Sequence, residues 1–284
     1  MSIPTPFTLQ MLARHSLLRN EDVAISSLEE MPNVLFPALF KEAFEGRQTK
    51  LVKEMVATWP LPCLPVGALM KTPSLETFQA VLDGVDMRLT RKFHPRSLMT
   101  PLETLSITYY LISQKDLDSL SRSQSLFQLK HLDLRGVVLC DLDIMPLRGL
   151  LEKVADTLET LDLKWCGMND SQLYALLPAL RHCCQLTMVN FYSNNFSMHI
   201  LKDLLQHTIN WSRINVELYP GPLECYDDSA QVSVERFALL CPELMDTLRA
   251  IRQPKSISFA TDTCQRCGER CVYHNGSRLC CCWQ

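Results

Sequence analysis

The chain has 284 residues, of which 47% are hydrophobic and 21% charged, so it can bury a core and is too apolar for a disordered chain. A formal charge of −3 argues against broad electrostatic binding to nucleic acid or an anionic membrane surface. No run approaches the roughly 18 apolar residues that span a bilayer, and the opening MSIPTPFTLQ lacks the regions of a secretory signal, so a cytoplasmic or nuclear protein with reduced thiols is expected.

Residues 1–96 read as a helical cap. Near its start Leu9, Ala13 and Leu17 fall at i, i+4 and i+8 along one helix face, with Thr8 before them and Leu12 beside them. Met31, Pro32, Val34, Leu35 and Leu39 form a second, largely apolar group. WPLPCLP, from Trp59 to Pro65, carries three prolines and must be non-helical. Thr72-Pro73 then starts a helix, with Thr at the N-cap and Pro in the first turn. Leu75, Phe78, Leu82, Val85 and Leu89 follow as an apolar stripe.

Residues 97–215 repeat. The register Leu-x-x-Leu-x-Leu begins at Leu102, Leu129, Leu158 and Leu186, at intervals of 27, 29 and 28 residues. It continues as Leu105/Ile107, Leu132/Leu134, Leu161/Leu163 and Val189/Phe191. Eight residues after each start come Tyr110, Val137, Cys166 and Asn194, at a position where such repeats favour Asn or Cys; Ile112, Leu139, Met168 and Phe196 follow two further on. The alternating segment is a strand and the apolar-periodic stretch after it a returning helix, as in Leu173, Leu176, Leu177 and Leu180. The expected fold is therefore α/β: a curved leucine-rich-repeat solenoid of about four repeats behind an N-terminal helical cap.

Outward strand positions offer a surface for a partner protein. The register stacks Asp133, Asp162 and Asn190 in one row and Arg135, Lys164 and Tyr192 in another, with His131 at the near end. These residues read either as substrate contacts or as a solvated polar face. Three Leu-x-x-Leu-Leu sequences start at Leu147, Leu173 and Leu201. Such a sequence on an exposed helix docks into a nuclear-receptor groove, but each lies on a returning helix, so the core reading is preferred.

Residues 216–284 hold a break at YPGPLECYDD, an amphipathic helix over 233–251 and a Cys-rich tail. Thirteen cysteines occur, six of them between Cys264 and Cys282. Cys264, Cys267, Cys271 and Cys280 stand at a zinc-like spacing, which leaves a structural zinc and plain reduced or redox-active thiols both open; no other cofactor is expected. Nine glycines form no phosphate-cradling loop, and no His-Glu-x-x-His or Gly-x-Ser-x-Gly motif occurs. A binding protein is expected rather than an enzyme.

Several stretches carry a family resemblance: SLLRNEDVAISSLEEMPNVLFPALFKEAFEGR, WPLPCLPVGALM, LETFQAVLDG, QLTMVNFYSNNFSMHILKDLLQHT, CPELMDTLRAIRQPKSISF and CQRCGERCVYHNGSRLCCCW. They resemble the PRAME family (preferentially expressed antigen in melanoma). The resemblance implies a substrate-recognition subunit of a cullin-2 RING ubiquitin ligase, with elongin C, elongin B, cullin-2 and an unknown protein substrate as partners. It also implies repression of retinoic acid receptor signalling, with effects on differentiation, apoptosis and proliferation. Receptors of this class bind elongin C through small/polar-Leu-x-x-x-(Cys, Ser or Ala)-x-x-x-aliphatic, which Thr8, Leu9, Ala13 and Leu17 fit. A cullin-2 box reads apolar-Pro-x-apolar-apolar-x-x-x-apolar, which Met31, Pro32, Val34, Leu35 and Leu39 fit; the same leucines could instead cap the solenoid. Family members carry a longer array, whereas here the cap meets the repeats near Arg96-Ser97, as in a short or internally deleted member. The alternative function is a ligase-independent co-repressor or protein-binding scaffold; a third is an inhibitor wrapping an enzyme.

Overall fold

The computed structural model describes residues 9–61, 63–64, 75–90, 102–123, 126–264, 267–274 and 277–278. The fold is mixed α/β, built on an open sheet whose nine described strands lie in chain order. Helices α1 (Leu9–Leu18), α2 (Glu21–Ser27), α3 (Phe36–Glu45) and α4 (Thr49–Ala57) come first, then strand β1 (Cys63–Leu64) and helix α5 (Leu75–Thr90). Phe78, Leu82 and Val85 of the α5 stripe are buried; Thr72-Pro73 lies outside the described residues. Gly84 lets α5 settle on α4, since a Cβ there would stand 2.5 Å from the Lys53 carbonyl oxygen.

WPLPCLP holds more than a break. Trp59 packs edge-on to Phe36 and Phe40, with centroids 5.9 and 5.3 Å away. Its indole N–H donates to the Cys63 carbonyl at 2.8 Å, which pins the chain as it enters β1. That two-residue strand pairs in parallel with β2 (Thr104–Ser106), Leu64 opposite Leu105. The N-terminal helical region thus joins the same sheet, and Phe78 stacks on Tyr110 at 4.5 Å across the join.

The sheet continues through β3 (His131–Asp133), β4 (Thr160–Asp162), β5 (Met188–Asn190), β6 (Val216–Pro220) and β7 (Ser256–Ala260), all parallel. Between them run α6 (Gln114–Arg122), α7 (Met145–Lys153), α8 (Asp170–His182), α9 (Met198–His207) and α10 (Val234–Arg249). Two short antiparallel strands, β8 (Val272–Tyr273) and β9 (Ser277–Arg278), follow. Leu105, Leu132, Leu161 and Val189 share one buried row. Three of the crossover helices start eleven residues after their repeat start, on Ser113, Asn169 and Ser197, whose side chains accept backbone N–H bonds from the first turn. Cys140 holds that place in the second repeat and supplies no such cap, so α7 begins only at Met145.

Parallel pairing does not end where the leucine register fades, because β6 and β7 extend it with other side chains. The buried leucine row continues as Glu217 and Ile257. The next inward row runs Leu134, Leu163, Phe191, Tyr219 and Phe259, and its last three rings stand 6.1 and 5.7 Å apart. Glu217, 1% exposed, accepts from Arg252 through both carboxylate oxygens, one bond at 2.8 Å, and from the Tyr219 hydroxyl at 2.8 Å. Arg252 Nε also donates to Thr208 Oγ1 at 3.1 Å.

A buried pair of this kind is costly to break and cheap to replace whole. Arg252→Met is expected to lower stability by about 3–5 kcal/mol by leaving the Glu217 carboxylate alone in the core. Adding Glu217→Leu and Tyr219→Phe should regain most of that loss. Urea unfolding of both variants checks this, and a combined variant no more stable than Arg252→Met would refute it.

Candidate protein-binding surfaces

The first 45 residues divide between core and surface. In α1, Leu17 and Leu18 pack on the core while Ala13 and Leu12 face out. Leu9 opens the helix, and Thr8 lies outside the described residues. Arg14 Nε to Glu42 Oε1 at 2.9 Å, and Gln48 Nε2 donating to the Leu18 carbonyl at 2.7 Å, brace α1 against α3 and the start of α4. In the second group Leu39 is fully buried and Met31 half-buried, each packed on the core; Leu35 is half-buried too. Pro32 is exposed, and Val34 is 71% exposed. Leu12, Ala13 and Val34 are therefore presented to solvent, whereas Leu17 and Leu39 serve the core.

The Leu-x-x-Leu-Leu leucines all face inward. Leu147, Leu150 and Leu151, Leu173, Leu176 and Leu177, and Leu201, Leu204 and Leu205 are buried. Helix-in-groove docking needs them outside, so these sequences build the core.

On the open strand face Asp133, Asp162 and Asn190 stand opposite one another across β3, β4 and β5. Each turns Oδ1 back onto the backbone N–H two residues on, at Arg135 (3.1 Å), Lys164 (3.0 Å) and Tyr192 (3.1 Å). The second carboxylate oxygens are tied sideways: Ser106 Oγ and Arg135 donate to Asp133, and Asn190 Nδ2 to Asp162 at 3.1 Å. This row holds the sheet together and leaves few hydrogen-bonding sites for a partner. Burial pushes the Asp162 carboxyl up from its ordinary range, against the lowering effect of the Lys164 N–H and Asn190 amide. His131 Nδ1 meets Thr160 Oγ1 at 3.0 Å, and the Tyr192 hydroxyl is bonded to Ser258. Arg135 folds back onto Asp133 and Asp162, whereas Lys164 lies over the Trp165 ring, its Nζ 4.3 Å from the ring centre. Tyr109, Leu111, Val138 and Trp165 are exposed residues that the leucine register does not single out, and the Tyr109 and Trp165 rings stand 6.0 Å apart.

In the tail, the Gly268 N–H donates to the Cys264 carbonyl at 2.9 Å, Gly268 is left-handed (φ 73°), and Cys264 and Cys267 are half-buried against the core. Cys271 is buried beside Cys225 and Cys241. Burial, then Glu224 and Cys271, pushes the Cys225 thiol up to about 12, away from the thiolate that binds metal. Cys280 lies outside the described residues, and among the described residues no group of three or more His, Cys, Asp or Glu is gathered to hold a metal.

Comparison with known proteins decides the kinship. The PRAME N-terminal domain matches residues 5–107 and the PRAME C-terminal domain residues 79–282. The chain belongs to the PRAME family. Human PRAME family member 8 is 30% identical over 474 aligned positions, covering 99% of this chain and 100% of that protein. Mouse oogenesin-3 is 28% identical over 96% of this chain and 93% of its own length. Mouse preferentially expressed antigen in melanoma-like protein 7 is 44% identical, over 66% of this chain and 40% of its own. An alignment of 474 positions against 284 residues means that PRAME family member 8 carries a long stretch with no counterpart here.

The raised Asp162 carboxyl sets a pH signature for this PRAME-family chain. Its native state binds that proton at a pH where the unfolded chain, at about 3.9, does not. Asp162 therefore adds stability as the pH falls from neutral through its folded pKa. Asp162→Asn removes this contribution, so the wild type should gain stability relative to the variant on acidification toward pH ~4. Urea unfolding across that range tests it; a constant stability difference would count against the buried carboxylate.

Proposed function

We propose that residues 102–260 form a leucine-rich-repeat solenoid and that the chain is the substrate-recognition subunit of a cullin-2 RING E3 ubiquitin ligase. In this reading the cap docks elongin C, with elongin B, and cullin-2, while the open strand face selects a protein substrate. The chain then needs no catalytic centre or cofactor of its own, and it works in the cytoplasm or nucleus.

One observation carries the reading. A cap that served only to close a repeat array would bury its apolar residues, but Leu12 and Ala13 on the braced α1, and Val34 just before α3, are left in solvent. They fall inside the two segments that resemble the elongin C and cullin-2 motifs. Ala13 gives a partner helix close approach, and Leu12 offers an apolar side chain beside it. Repression of retinoic acid receptor signalling, with its effects on differentiation, apoptosis and proliferation, is the family-implied outcome. The second reading, a ligase-independent co-repressor scaffold, would have to contact the receptor elsewhere than the buried Leu-x-x-Leu-Leu leucines.

The test is co-expression of the full chain with elongins B and C and cullin-2, followed by size-exclusion chromatography. Co-elution is expected, and Leu9→Ser with Ala13→Arg should reduce it at least tenfold. Ala13 is exposed, so that change costs the fold little. A folded wild type that elutes alone, or a double variant that still co-elutes, refutes the ligase reading.

A further inference from the structure

Left-handed backbone recurs with the repeat. Seven residues after each repeat start stand Tyr109 (φ 55°), Gly136 (φ 72°), Trp165 (φ 59°) and Ser193 (φ 56°). Such a position favours glycine, and a bulky side chain there is strained. Only the second repeat uses glycine. Tyr109 and Trp165 instead place large aromatic rings in solvent, 66% and 43% exposed. The rings come from strands two apart, yet their centroids are 6.0 Å from each other. They meet because Gly136 lies between: a Cβ on it would stand 2.5 Å from Tyr109 Cδ1. Leu111 and Val138, two residues past Tyr109 and Gly136, are exposed on the same rim.

Beside this apolar end is a cationic one. Lys164 Nζ lies 4.3 Å from the centre of the Trp165 ring, and the Arg270 guanidinium 5.5 Å from that of Tyr192. Trp165 and Tyr192 are joined by a backbone hydrogen bond of 3.0 Å, so the two cations sit on neighbouring units. Among the described residues Arg135 has its carboxylates in Asp133 and Asp162, whereas Lys164 and Arg270 form no ion pair. Burial and then the nearby Arg270 lower the Lys164 pKa, against the raising effect of Asp162.

We propose that the rim of Tyr109, Leu111, Val138, Trp165, Lys164 and Arg270 docks an extended acidic peptide segment of a partner protein. A side-chain carboxylate sits between Lys164 and Arg270, and an apolar or aromatic side chain lies on Tyr109 and Trp165. The two ends are about one to two strand spacings apart, roughly 5–10 Å, and extended chain rises ~3.3 Å per residue. The acidic and apolar residues therefore stand two or three positions apart in the ligand. Strain at the aromatic positions is retained because the rings are needed outside. The proposal rests on the reading of the strand face as the substrate side and names the substrate's chemistry.

The experiment is selection of internal nonapeptides from a random display library on the purified full chain, with an unrelated protein as control. Enrichment of Asp or Glu two or three positions from an aromatic or aliphatic residue is expected. The winning peptide, synthesised with blocked ends, should lose at least tenfold in affinity against Lys164→Glu with Arg270→Glu, and clearly weaken against the milder Lys164→Gln with Arg270→Gln. Tyr109→Gly and Trp165→Gly should also weaken binding while leaving the melting temperature unchanged or higher, since glycine relieves the left-handed backbone. No enrichment over the control, enrichment of neutral or basic peptides, or full affinity in the charge variants would overturn the proposal. Peptide binding needs no elongin. A chain that selects acidic peptides but elutes without elongins keeps the docking rim and loses the ligase role, and the converse result does the reverse.

Discussion

A strand of three residues cannot satisfy its own backbone, and the arrangement of this chain follows from where those polar groups find partners. From Glu103 to Arg135 and onward, each unit passes its carbonyls to the N–H groups of a neighbour. Glu103 accepts from Lys130 and His131, Lys130 from Glu159 and Thr160, Glu159 from Thr187, and Thr187 from Asn215. Past the strands the ladder runs on, with Asp133 accepting from Ile107, Asp162 from Leu134 and Asn190 from Leu163 at 2.8–2.9 Å. Asn194 closes one of the turns where the chain leaves the sheet. Its amide accepts from the Met168 N–H and donates to the Leu163 and Phe191 carbonyls. Cys166 makes a weaker version of the same contact, Sγ to the Leu134 carbonyl at 3.2 Å. A buried backbone group left without a partner costs as much as a lost hydrogen bond, so no unit can stand without the next.

The rim is a by-product of that ladder. To hand carbonyls to a neighbour and then turn back into a helix, each unit reverses at the residue before the Asn or Cys position. The reversal takes a left-handed residue, and its side chain is thrown outward at the edge of the strand face. Glycine there relaxes the backbone, as Gly136 does. Tyr109 and Trp165 leave the strain in place and put aromatic surface where a partner can reach it. The open row of Asp133, Asp162 and Asn190 is less available than its position suggests, since its side-chain atoms already bind backbone, Arg135 and one another. The exposed rings stand at the end of the strands rather than along them.

The mixed α/β architecture was legible wherever leucine does the packing, because Leu-x-x-Leu-x-Leu spells out both the strand and its buried face. It was illegible where another side chain takes the same place. Glu217 looks like a surface residue and is buried only because Arg252, 35 residues later, reaches it. Tyr219 and Phe259 continue a leucine row as stacked rings, which hid two parallel strands from a leucine pattern. Cys63–Leu64 lies in a proline-rich break too short to show any alternation, and its pairing depends on β2, some 40 residues on. The rim was invisible for a different reason. Tyr109 and Trp165 share a repeat position with a glycine and a serine, so nothing in residue type marks it, and only the backbone angle does.

The same ladder bears on the missing length relative to PRAME family member 8. A stack held by a repeated register presents an equivalent edge at every strand, so removing whole units leaves an edge that the preceding element can still meet. Here β1 meets β2 in the register that β2 uses for β3: Leu64 lies opposite Leu105 as Leu105 lies opposite Leu132. Stacking of Phe78 on Tyr110 carries the apolar core across the same join, and the pinning of Cys63 by Trp59 fixes the angle of approach. Tyr110 occupies the position where Asn194 binds backbone in the fourth unit. At the first unit, facing helix α5 rather than another repeat, a ring that packs against Phe78 serves better than an amide seeking carbonyls. The sheet is thereby met at its β2 edge by ordinary packing of β1 and α5, and Tyr109, the first aromatic of the rim, stands just past β2 in that same unit.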